Sequence, residues 1–175
     1  RHGRRQAGKL PARRQRQGEI EPAVRARRNH VAGAIPGAVP DRRAPRLTVH
    51  VAGDGPPVVL LHGLTSSHLE WMGLKSALAA GFTCLAWDAR GHGDSSRPQG
   101  AEAYAWGHFA EDLVAVAEAL VAERGGGEIA LGIGHSFGGT SMIGAAARRP
   151  ALFQRLLLVD PVVPPPPQAG ITPEN

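Results

Sequence analysis

The run Gly134-His135-Ser136-Phe137-Gly138-Gly139 constrains this chain most, because of what flanks it. Residues from Glu128 to Gly134 read as a strand. The Gly- and Ala-rich stretch from Gly138 to Arg149, stopped by Pro150, reads as a helix. A chain that passes from strand to helix within so few residues must turn sharply at Ser136. That turn strains the backbone and lifts the serine hydroxyl above the sheet. Gly134 and Gly138 leave room for close packing around it. The helix N-terminus then aims backbone N–H groups at any negative charge developing beside the serine. The bland alternative is a Gly-rich turn carrying an incidental serine. The strand-turn-helix context favours the first reading.

The neighbouring segments supply more strands and helices. Leu47 to Val51 alternates and ends at a Gly53-Asp-Gly-Pro-Pro57 turn, as a strand does. Val58 to Leu61 is a continuous apolar run, expected for a strand covered on both faces. His68 to Ala80 reads as a helix, with Leu69, Met72, Leu74 and Leu78 as its apolar positions. Phe82 to Trp87 is the next strand, followed by a polar, Gly-rich loop from Asp88 to Pro98. Phe109, Leu113, Val116, Ala117, Leu120 and Val121 recur at helical spacing, so 104–124 is an amphipathic helix. Arg155 to Val159 is a last apolar strand, closed by Asp160. Strands alternating with helices imply an α/β fold, a mostly parallel sheet flanked by helices. The working site of such a sheet lies at the carboxyl ends of its strands.

Charge separates the first 46 residues from the rest. The 175-residue chain carries a formal +5, but residues 1–46 hold 13 Lys and Arg against 3 acids, and residues 47–175 hold 7 against 12. The basic segment is interrupted by prolines and has little to bury, so it is expected to be a disordered leader. It either binds phosphates as a basic arm or is a solvated tail. Having no aromatic residue to stack on bases, it is not expected to bind nucleic acid. The excess of Arg (18) over Lys (2) points to GC-rich, bacterial coding. One cysteine, Cys84, excludes an intrachain disulfide, and no apolar run reaches the roughly 18 residues of a membrane span. A cytoplasmic location is therefore expected. No metal-ligand spacing and no phosphate-binding Gly-Lys motif is present, so neither metal nor cofactor is expected.

Three motifs stand in order: Leu60-Leu61-His62-Gly63-Leu64, Asp88-x-Arg90-Gly91-His92-Gly93-x-Ser95 and the Ser136 turn. Together they resemble the α/β-hydrolase fold family, over roughly residues 47–163. The resemblance implies that Ser136 is the nucleophile, within an elbow formed by Gly134, His135 and Gly138. It implies an oxyanion hole made by the backbone N–H groups of Leu64 and Phe137. The Asp88–Ser95 loop then orders the structure and takes no part in the chemistry. Relatives that open epoxides or displace halides use Asp as nucleophile, so the resemblance disfavours them. Ester, thioester and lactone hydrolysis, acyl transfer, C–C bond hydrolysis and perhydrolysis remain, with an ester or related acyl bond in a small-molecule substrate as the leading expectation.

The family's chain order is Ser, then Asp or Glu, then His. After Ser136 come two acids, Asp160 and Glu174, and no histidine. Asp160 is the candidate acid, since some relatives carry an acid at that strand end; its other reading is a loop-ordering residue. His62, His92 and His135 read as structural. The hydrolase region at 47–163 is thus expected to be C-terminally incomplete, with the Pro-rich 164–175 leading towards a lid or cap. Two alternatives remain: a non-catalytic scaffold with a basic arm, and a hydrolase completed by a second chain.

Overall fold

The computed structural model describes residues 27–32 and 45–163. Six strands and three α-helices follow one another: β1 (Arg27–Ala32), β2 (Arg46–Ala52), β3 (Pro57–Leu61), α1 (Met72–Leu78), β4 (Thr83–Asp88), α2 (Trp106–Glu123), β5 (Leu131–His135), α3 (Phe137–Arg148) and β6 (Leu156–Val159). Short 3-10 turns at His68–Trp71, Ala101–Tyr104 and Pro150–Leu152 lead into or out of the helices. The strands form one sheet in the order β1-β2-β4-β3-β5-β6. β4, β3, β5 and β6 run parallel, while β2 is antiparallel to both β4 and β1.

β3 holds the centre because every residue from Val58 to Leu61 is buried, so both its faces need cover. Alternation sends successive side chains to opposite faces. Val59 and Leu61, with Leu85 and Trp87 of β4, face a large cluster built with Phe109, Leu113, Val116 and Leu120 of α2 and Met142 and Ala145 of α3. Val58, Leu60, Cys84, Ala86 and Ile133 face the other side, where Trp71 covers them. Leu113 is fully buried; cutting such a side chain to Ala costs about 2–5 kcal/mol. Burial also pushes the Cys84 thiol up to about 11, in keeping with a core residue.

Two sequence expectations change. Residues 27–32 lie within the expected leader, yet they pair with β2 from Arg27↔Val51 to Ala32↔Arg46. A ladder of backbone hydrogen bonds needs no apolar pattern, so composition did not signal this strand. The rest of the leader and residues 164–175 lie outside the described residues. The expected helix at 68–80 is a 3-10 turn plus the short α1, and its anticipated apolar face is largely outward. Leu69, Met72 and Leu74 are exposed, and the contact with the sheet comes from Trp71 with partly buried Leu78. β6 ends the sheet with Leu157 and Val159 about half exposed. Among the described residues no helix is long and apolar enough to cross a membrane.

Candidate active site

Ser136 sits between β5 and α3 with φ 49° and ψ −117°, a conformation that a residue with a side chain rarely adopts. The surroundings hold it there. Its N–H donates to the Val159 carbonyl at 2.8 Å, tying the turn to β6. A Cβ on Gly138 would stand 2.3 Å from the Leu61 carbonyl oxygen, and one on Gly134 would stand 2.6 Å from the Gly138 carbonyl carbon. These clashes are with backbone, so any larger residue would push α3 off β3 and β5. His135 lies within the turn and Phe137 opens the helix.

β3 and β5 are neighbours, with Leu61 opposite Gly134. The His62-Gly63-Leu64 turn therefore leaves the sheet beside Ser136. His62 is fully buried and both its ring nitrogens are engaged: Nδ1 lies 2.7 Å from the Gly63 carbonyl, and Nε2 accepts the Ala89 N–H at 3.1 Å. The carbonyl partner assigns the proton to Nδ1, so the ring is neutral. Burial holds it below the ordinary histidine range, against the raising effect of the Gly63 carbonyl. His62 ties the turn to the loop after β4 and leaves no nitrogen for Ser136.

Two further residues fix this turn. His92 Nε2 accepts the Thr65 N–H at 3.4 Å while its Nδ1 lies 2.9 Å from the Arg90 carbonyl. Glu70 uses both carboxylate oxygens: one accepts the Gly63 N–H at 3.0 Å, the other lies 2.7 Å from His135 Nδ1. Sequence reasoning singled out neither Glu70 nor the Thr65 contact. Both partners are remote in sequence, and no motif marks them.

The Leu64 and Phe137 N–H groups have no acceptor among the described residues. Leu64 presents an exposed side chain, whereas the Phe137 ring is buried against Phe109, edge to face, at 4.6 Å. Trp106, more than half exposed, lies 5.4 Å from the Phe137 ring and forms an apolar wall there. Trp71 takes no part here and packs in the core on the other side of the sheet.

Asp160 follows β6 with φ 48° and is exposed. Because His135 pairs with Val159, Asp160 stands level with Ser136 on the adjacent strand. Its carboxylate makes no hydrogen bond or ion pair with a described residue. Among the described residues, no side chain hydrogen-bonds the Ser136 hydroxyl.

The Asp88–Ser95 loop is built from internal hydrogen bonds. Ser95 Oγ donates to the Asp88 carbonyl at 2.6 Å and accepts the Thr48 N–H at 2.8 Å. Arg90 makes a buried bidentate pair with Asp112, both contacts 2.7 Å, and donates to the Ala103 carbonyl. Burial raises the Asp112 carboxyl, outweighing the Arg90 charge and hydrogen bond.

Residues 56–174 match the model of the alpha/beta hydrolase fold. The protein named probable oxidoreductase EphD of Mycobacterium tuberculosis is 36% identical over 113 residues, 63% of this chain and 18% of that protein. The 2-(acetamidomethylene)succinate hydrolase of Mesorhizobium japonicum is 33% identical over 114 residues, 65% of this chain and 38% of that protein. An epoxide hydrolase structure from an endophytic Streptomyces superposes with a TM-score of 0.63 at 30% identity, covering 76% of this chain and 36% of that one. The chain thus spans well under half the length of each of these relatives.

Proposed function

The chain belongs to the α/β-hydrolase fold family, and on that footing we propose that Ser136 is its nucleophile and that it cleaves an ester or related acyl bond. The observation that carries this reading is the backbone at Ser136, φ 49° and ψ −117°, at the junction of β5 and α3. A residue held in such a conformation by packing on every side supports a chemical role more than a structural one.

In this mechanism Ser136 Oγ attacks the acyl carbon of the substrate. The carbonyl electron pair moves onto oxygen, and the Leu64 and Phe137 N–H groups receive the oxyanion. Each such donor supplies about 3 kcal/mol of transition-state stabilisation. The Oγ proton passes to a base and from it to the departing alcohol, leaving an acyl-enzyme. Water then attacks the same carbon, and the serine recovers its proton. No described residue is assigned as the base: His62 and His92 each have both ring nitrogens engaged, and no described side chain hydrogen-bonds the Ser136 hydroxyl. Asp160, level with Ser136 on β6, is the proposed acid that orients the base. Trp106 and Leu64 offer the acyl group an apolar surface.

Epoxide opening is the second reading, favoured by the Streptomyces structure. Chemistry weighs against it here. A carboxylate that opens an epoxide forms an ester that water cleaves, whereas a serine would form an ether that water leaves intact. Offering the protein p-nitrophenyl acetate and styrene oxide separates the two. With no base assigned in this chain, the proposal expects only a slow release of p-nitrophenol that Ser136→Ala removes, and no diol. Diol formation, or ester cleavage unchanged in Ser136→Ala, overturns it.

A further inference from the structure

His50, His68 and Asp88 come from three separate elements and meet beside β4. Their ligating atoms all lie within 4.8 Å of one another. We infer that these three side chains form a binding site for one divalent transition-metal ion, independent of the chemistry at Ser136.

The donor set is the first argument. Two imidazoles and one carboxylate suit zinc and its neighbours, and three protein ligands leave a fourth position for water.

Geometry is the second. Asp88 is completely buried, and its carboxylate is already aimed. The His68 N–H donates to Oδ1 at 2.7 Å and the Asp94 N–H to Oδ2 at 3.0 Å. Backbone donors of this kind orient metal-ligating carboxylates. His68 Nδ1 lies 2.9 Å from Asp88 Oδ1, a spacing that one cation can bridge.

His50 is the third. A histidine–aspartate contact needs no second imidazole. Yet His50, fixed by the register of β2 against β4, stacks on His68 with centroids 3.5 Å apart and planes 16° from parallel. Imidazole lone pairs lie in the ring planes, so His50 turns out of this stack to aim a nitrogen at the ion held by His68 and Asp88, from a starting point within 4.8 Å of both. Ligands of a tetrahedral zinc stand about 3.4 Å apart, given bonds near 2.1 Å. Side-chain rotation of the partly exposed His50 closes the remaining gap. That partial exposure also gives the ion a way in and room for water.

The sequence offered no such motif because the ligands stand 18 and 20 residues apart, on a strand, a 3-10 turn and a second strand. The consequence is mechanical: an ion here clamps β2 and the end of β4 to the turn that carries Glu70.

Titration of the full chain with Zn2+, followed by calorimetry and thermal melting, tests the site. One equivalent is expected to bind and raise the melting temperature, since ligand binding to the folded state alone stabilises it. His50→Ala or His68→Ala is expected to weaken binding by at least about tenfold. A second measurement needs no variant. Imidazole 15N shifts of the unmutated protein are expected to move at His50 and His68 on adding Zn2+. Absence of binding, equal affinity in the variants, or shifts confined to other histidines overturns the proposal.

Discussion

Glu70 and His135 are 65 residues apart in sequence, and Glu70 Oε1 lies 2.7 Å from His135 Nδ1 beside the proposed nucleophile. The other oxygen of Glu70 holds the Gly63 N–H. One carboxylate therefore couples the two turns that would carry the two oxyanion donors, the one ending in Leu64 and the one opening on Phe137.

Glu70→Gln removes the charge and weakens both contacts. The side chains are partly exposed, 21% for Glu70 and 41% for His135, so the expected loss of stability is only about 1 kcal/mol. The expected loss of Ser136 acylation rate is larger, about tenfold, because the two donors would no longer be held in register. Chemical denaturation and acylation kinetics on the same variant check this. Equal acylation rates would separate Glu70 from the site.

Arg90→Ala leaves the Asp112 carboxylate, buried on the inner face of α2, without its bidentate partner. Breaking a buried pair from one side costs about 3–5 kcal/mol. Arg90→Lys restores charge but not the fork, and is expected to recover only part of the loss. Urea midpoints of the three proteins measure this, and a loss under about 1 kcal/mol for Arg90→Ala contradicts the buried geometry.

His62 makes stability depend on pH in a predictable direction. Burial holds its folded pKa below the ordinary histidine value of about 6.5. Between the two values the unfolded chain binds more protons, so stability rises with pH. The contribution is complete above about pH 6.5 and is lost as pH falls through the depressed folded value. His62→Gln is expected to be less stable at neutral pH and to lack this component. Denaturation at several pH values between about 5 and 8 reads it directly.

The sequence and the structure agree most closely where backbone constraint leaves a local mark. The β5–Ser136–α3 junction shows in the glycines that keep clear of backbone at Gly134 and Gly138. The α2 face shows in the spacing of Phe109, Leu113, Val116 and Leu120, all buried. Agreement ends where tertiary contacts decide. β1 pairs with β2 although its sequence carries no apolar signature. Leu69, Met72 and Leu74 look like a core face, yet Trp71 fills that side of the sheet and leaves them outside. Glu70–His135 and the His50–His68–Asp88 cluster arise from sheet order and register, which single residues do not reveal.

The central claim is that Ser136 is the nucleophile. The most direct measurement is the rate at which a fluorophosphonate labels the folded protein, with the modified residue mapped by mass spectrometry. Even without the triad's other members, donors poised for the oxyanion retain part of the rate enhancement. Modification is expected at Ser136 ahead of exposed serines such as Ser76, and Ser136→Ala is expected to abolish it while leaving the melting temperature nearly unchanged. Labelling spread evenly over the serines, or undiminished in Ser136→Ala, would contradict the account.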